Sequence, residues 1–314
     1  MSEEESWARE SLRDIALEGI RERRRARRWG IFFKLAVLVY LFGLLFFSLR
    51  PVLDWGENAG AMPHTAVVSI EGPIMADSAA SAERVIQGLE AAFSAPQAKG
   101  VMIAINSPGG SPVESSRIYQ AIVRLSEQHP RKSVHAVAGD SVASGAYYIA
   151  AAADEIHVDG ASIVGSIGVI SRGFGFAAAA ERLGIERRIY AAGDQKAGLD
   201  PFLAPDPENE AQLQSMLDDI HAQFIAAVEQ GRGDRLNAES AVLFSGRLWS
   251  GRQGIEVGLV DRLGTPESVA RDVIGAAQRI DYTPQQQWLD RTIERFGASV
   301  VQAWLQTSQS LMLD

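Results

Sequence analysis

No cysteine occurs in the 314 residues, and lysine appears only four times beside twenty-six arginines. The first absence excludes disulfides, thiol nucleophiles and thiolate metal ligands, and it is compatible with an oxidising compartment. The five histidines, His64, His129, His135, His157 and His221, are scattered without ligand spacing. Each is read as a satisfied core or surface imidazole, so neither a metal nor a cofactor is expected. The scarcity of lysine gives weight to each one present, because lysine, unlike arginine, can serve as a neutral amine.

Positive charge is short as well, the net charge being −9. Residues 1–50 hold ten Lys/Arg against seven Asp/Glu and carry +3, which leaves −12 on the remainder. Such an acidic remainder is a poor partner for nucleic acid, and none is expected. Long apolar runs are absent with one exception, Trp29 to Leu49, which approaches the ~20 residues of a spanning helix. Lys34 lies near one end of it, where it can snorkel. The basic run Arg21–Arg28 precedes the stretch, while only Arg50 follows before Asp54 and Glu57. This asymmetry predicts a cytoplasmic N-terminus, with the chain beyond about residue 50 on the periplasmic or extracytoplasmic side. The run exceeds the ~7–15 apolar residues of a cleaved signal peptide. A single-pass anchor is therefore expected, contacting the bilayer of the inner (cytoplasmic) membrane through residues 29–49.

The expected organisation is a basic segment at 1–28, the anchor at 29–49, a Pro- and Gly-containing linker at 50–64, a folded domain at 65–280 and a helical extension at 281–314. Within the domain, β-branched runs at 65–70, 100–105, 133–138 and 155–158 read as strands, and 79–93 and 112–127 as intervening helices. Such alternation predicts an α/β fold with a largely parallel sheet. Residues 208–229 read as a further helix whose Leu213, Leu217, Ile220, Phe224 and Val228 form a core-facing stripe. No internal repeat is present.

Three glycine-rich segments and one lysine are the candidate site. Asn106-Ser-Pro-Gly-Gly110 follows a strand and precedes a helix, and its glycines leave backbone N–H groups uncovered, as an oxyanion hole requires. In Ser144-Gly-Ala-Tyr-Tyr148 the serine sits at a strand-to-helix turn and Gly145 supplies a second N–H. The third segment is Gly165-Ser-Ile-Gly168, and the lysine is Lys196 in Gly193-Asp-Gln-Lys196. A neutral amine brought to Ser144 would make it a nucleophile. A free lysine holds its proton to about pH 10.4, so that role demands water-poor surroundings without a fixed carboxylate, and Asp194 must point away. Ser141, the nearest competing hydroxyl, is expected to cap the helix instead. Tyr147 and Tyr148 are read as packing residues.

In these segments, together with Phe244-Ser-Gly-Arg-Leu-Trp-Ser-Gly-Arg252 and Gly258-Leu-Val-Asp261, the chain resembles the signal peptide peptidase A family, the S49 serine peptidases, in its short single-domain form. The likeness runs from about Thr65 to Gly264. It implies a ClpP/crotonase-like fold and a Ser/Lys dyad, with Ser144 as nucleophile and Lys196 as general base. Ser166 would position the lysine, and the backbone at Gly145, Gly110 and Gly109 would form the oxyanion hole. It further implies a ring-like homo-oligomer with sites shared between subunits, and remnant signal peptides as apolar substrates. Three other readings compete: a non-catalytic membrane scaffold on the same fold, a crotonase-type acyl-CoA enzyme, and a Ser-His-Asp triad on the same scaffold.

Overall fold

The computed structural model describes residues 29–30, 32–43, 62–193 and 195–284. They belong to two units divided between Ala61 and Met62. In the first, the described residues are helical and expose Trp29, Phe32, Phe33 and the apolar side chains that follow. No helix among the described residues is long and apolar enough to cross a membrane. The basic segment at 1–28, part of the expected anchor over 29–49, most of the linker and most of the 281–314 extension lie outside them.

The second unit is a mixed sheet flanked by helices. Its strands are β1 (His64–Glu71), β2 (Ala98–Ser107), β3 (Ser133–Ala143), β4 (Glu155–Val158), β5 (Ile163–Gly165), β6 (Leu248–Ser250), β7 (Arg262–Leu263) and β8 (Arg279–Asp281). The order β6-β5-β3-β2-β1-β8 is parallel throughout except between β5 and β6. One edge of β3 pairs with β2, while the other is divided. β4 takes His135–Val137 near its start, and β5 takes Ser141–Ala143 at its end. β8 straddles the expected limit at residue 280, and Tyr282 donates its N–H to Val67 O at 2.8 Å.

Helices α1 (Ala82–Ser94), α2 (Pro112–Gln128), α3 (Gly145–Ala150), α4 (Ala177–Arg182) and α5 (Pro207–Arg232) connect or flank these strands. The anticipated strands and the two connecting helices are present, because continuous apolar runs suit a sheet buried on both faces. On α2 the stripe Ile118, Ile122 and Leu125 is buried, each side chain contributing about 1.5–3 kcal/mol of transfer free energy. Ser111 caps this helix by accepting from Glu114 N–H, and Pro112 occupies its first turn. The buried Glu114 carboxylate in turn accepts from Ala82 N–H at 2.7 Å, tying α2 to the start of α1.

The stripe on α5 behaves differently. Phe224 and Val228 are buried, whereas Leu213, Leu217 and Ile220 are only partly covered. Within a single chain only the C-terminal half of this helix has the sheet unit beneath it.

Candidate active site

Three loops meet because three neighbouring strands carry them. β5, β3 and β2 are adjacent, and their carboxyl ends lead into Ser166, Ser144 and the Asn106–Gly110 loop. The carboxyl edge of such a sheet is where α/β proteins bind ligands.

Ser144 adopts φ 53° and ψ −127°, a region that costs a non-glycine residue of order 1–3 kcal/mol. Two hydrogen bonds impose it. The Ser144 N–H donates to Gly165 O at 2.8 Å, and its carbonyl accepts from Tyr148 N–H at 3.0 Å. Ser144 occupies the N-cap position of α3, yet its side chain makes no capping bond. Ser141 does not cap this helix as anticipated: it lies inside β3, and its N–H donates to Asn106 Oδ1 at 3.2 Å.

Gly109 and Gly110 fit against this turn only because they lack side chains. Gly109 has φ +96°, and a Cβ there would lie 2.7 Å from Gly145 N and 2.8 Å from Ser144 Cβ. A Cβ on Gly110 would stand 2.1 Å from Ile74 O, the strand-like bridge that holds this loop. Gly109 N–H donates to Ser107 Oγ at 3.1 Å. By contrast, the N–H groups of Gly110 and Gly145 have no acceptor among the described residues. Gly145 opens α3, where an N–H has no intrahelical partner. Two such amides beside the Ser144 turn are what an oxyanion needs.

Ser144, Gly145, Gly109, Gly110 and Ser166 line one cavity of about 960 Å³. Ser166 has φ 52°, and its N–H donates to Arg247 O at 2.8 Å. Gly246 N–H donates to Ile167 O at 3.1 Å, so the Phe244–Arg252 motif holds the Ser166 loop in place. The rest of the wall includes Val113, Ile170 and Phe224, but also Arg117, Gln120 and Arg172. In this chain the cleft is thus large and chemically mixed. Arg117 and Gln120 alternate with core positions on α2, Arg172 lies in the segment after β5, and none of the three belongs to a sequence motif. Tyr147 is buried and donates to Leu259 O at 2.6 Å, as a packing residue does. Tyr148 stacks on Phe224 and also lines the cleft.

Lys196 is not among the residues of this cleft. It is exposed and lines a separate depression with Arg187, Tyr190, Leu199 and Asp200. Asp194, which was required to point away from it, lies outside the described residues. No histidine hydrogen-bonds Ser144 among the described residues. His221 is the one beside the cleft loops, and its Nε2 faces Ile167 O at 3.2 Å. His135 on β3 and His157 on β4 contact each other, and burial together with the His135 ring pushes the His157 pKa down to about 4.

The family model described as Peptidase family S49 matches residues 126–278, a stretch that contains Ser144, Ser166 and Lys196. Over 296 residues the chain is 36% identical to the Na(+)/H(+) antiporter NhaA of Brucella abortus (strain 2308), covering 93% of this chain and 36% of that one. It is 28% identical to Protease 4 of Haemophilus influenzae over 223 residues, 69% of this chain and 35% of that one. It is also 28% identical to the chloroplastic serine protease SPPA of Arabidopsis thaliana over 201 residues, 63% of this chain and 29% of that one. The chain therefore spans about a third of the length of each of these relatives.

Proposed function

Because the chain belongs to peptidase family S49, we propose that it is a serine endopeptidase acting through Ser144 and Lys196. The observation that carries this reading is the strained Ser144 turn set beside the unpartnered amides of Gly110 and Gly145. In the proposed reaction Ser144 Oγ attacks the scissile carbonyl carbon while its proton passes to Lys196 Nζ. The carbonyl oxygen becomes an oxyanion that accepts from Gly110 and Gly145 N–H. Collapse expels the leaving amine, which takes the proton from Lys196 Nζ. A water then gives its proton to the neutral Lys196 Nζ and attacks the acyl carbon, and collapse breaks the acyl–Oγ bond as Lys196 returns that proton to Ser144 Oγ.

Lys196 needs water-poor surroundings for this role, and within its own chain it is exposed. We therefore place it in the cleft of a neighbouring copy, with Ser166 positioning the amine. Packing of copies against one another would desolvate the lysine. It would also cover the exposed Tyr190, Leu199 and Phe202 around it and the half-covered stripe on α5. The proposed assembly is a ring-like homo-oligomer.

In the same reading residues 29–49 anchor the chain in the cytoplasmic membrane with the peptidase unit on its outer face, and the substrates are apolar peptides such as remnant signal peptides. The test is cleavage of a synthetic signal peptide by the detergent-solubilised full chain. Wild type should cut, while Ser144→Ala and Lys196→Ala should fall to background. Full activity in Lys196→Ala would assign the base elsewhere, and a wild type that neither cuts nor reacts with a serine-directed acylating probe would leave only a scaffold role.

A further inference from the structure

His135, Glu155 and His157 come together at the amino-terminal end of β3 and β4, at the end of the sheet remote from Ser144. Parallel pairing places His135 directly opposite Glu155, and His157 follows Glu155 by two residues on the same face of β4. Their polar atoms converge. His135 Nδ1 lies 3.2 Å from His157 Nε2. Glu155 Oε2 is 3.3 Å from His157 Nε2 and 3.7 Å from His135 Nδ1. From this triangle we propose that the three side chains form a binding site for a divalent transition ion of the zinc class.

The triangle has the dimensions of one face of a coordination tetrahedron. With ligand bonds of about 2.0–2.1 Å, tetrahedral angles separate neighbouring ligand atoms by roughly 3.3–3.4 Å. Two imidazole nitrogens and one carboxylate oxygen are a ligand set suited to zinc, with a water completing the fourth position. The carboxylate is prepared for this. Its Oε1 pairs with Arg262, whereas Oε2 is buried and has no hydrogen-bond partner among the described residues. With neutral rings a single proton can join the two nitrogens, and the carboxylate oxygen then lacks a donor. One cation would satisfy all three atoms together.

The His135 ring is held by an outer hydrogen bond, and the His157 ring by packing alone, its Nδ1 having no hydrogen-bond partner among the described residues. His135 Nε2 lies 3.0 Å from Ser133 Oγ, the outer hydrogen bond that orients a ligating ring. His157 is fully buried and backed by Gly264, where a Cβ would stand 3.3 Å from the ring's Nδ1. An ion here would brace β4 against β3. It would act on stability and leave the chemistry at Ser144 untouched, since binding to the folded state alone is folding free energy.

The test uses the untagged full-length chain in detergent, stripped with a chelator and dialysed against Zn²⁺ or Co²⁺. Wild type should retain one ion per chain, show the intense visible bands of four-coordinate Co²⁺, and melt at a higher temperature with zinc than without. His157→Asn should lose the ion. Should that variant misfold, Glu155→Gln is isosteric and partly exposed, and it should weaken binding by at least about tenfold, the least that loss of an outer-shell partner costs such sites. Failure of wild type to retain stoichiometric metal, or retention of equal affinity in Glu155→Gln, would overturn the proposal.

Discussion

Ser144 and Ser166 share a backbone twist, with φ of 53° and 52°, and they are the two non-glycine residues in the left-handed region among the described residues. They are also linked, since Ser144 N–H donates to the carbonyl of Gly165, the residue before Ser166. Two strained turns on neighbouring strands thus hold each other at the rim of one cleft. Strain of this kind persists only where the surrounding structure over-determines it.

Ser144→Gly should therefore separate stability from activity. Glycine adopts this conformation without strain but loses more chain entropy on folding, so a net gain of about 1 kcal/mol is expected. Ser144→Ala retains the strain and should be neutral or slightly destabilising. Urea midpoints of the two variants, both without cleavage activity, check the difference.

Gly109→Ala should lose both. The added methyl would meet Gly145 N and Ser144 Cβ below 3 Å in a backbone of φ +96°, costing of order 1–3 kcal/mol and displacing the proposed oxyanion donors. A fall in kcat with little change in KM is expected, because an oxyanion hole acts on the transition state. Peptide-cleavage kinetics distinguish this from a binding defect.

If neighbouring copies complete each site, two dead variants can rescue each other. Mixing Ser144→Ala with Lys196→Ala under conditions that exchange subunits should restore part of the wild-type rate. No recovery after demonstrated exchange would place serine and lysine in the same chain.

Arg232 and Asp261 offer a test away from the cleft. The Arg232 side chain is fully buried, and its guanidinium pairs with both carboxylate oxygens, at 2.7 and 3.0 Å. Burial raises the Asp261 pKa, but hydrogen bonds from Arg232 and Ile156 outweigh it and hold the group below its ordinary value. A carboxylate so depressed contributes stability that is present above its unfolded pKa, about 3.9, and is lost as pH falls through the folded value. Asp261→Asn should destabilise by about 3–5 kcal/mol near neutrality, since it leaves a buried cation without its charge partner. Its stability should also fall less steeply on acidification than that of wild type. Denaturant unfolding from pH 6 down to pH 3 provides both readings.

What the sequence determined by itself was local. Runs of Val, Ile and Ala produce β1 to β3. Pro112 after Ser111 starts α2, and the Pro-Gly-Gly and Ser-Gly steps mark the turns around Ser144, because neighbours in the chain set backbone conformation. What only the tertiary structure decided was non-local. The register of β3 against β4 brings together His135 and His157, which are twenty-two residues apart, and with them Glu155. The end of β3 absorbs Ser141 and leaves Ser144 at the turn. Of the α5 stripe only Phe224 and Val228 are buried, and Lys196 is left exposed in a segment away from the serine cleft. Such outcomes depend on which surfaces distant segments cover, and pairing and burial across the sheet settle that after the local elements have formed.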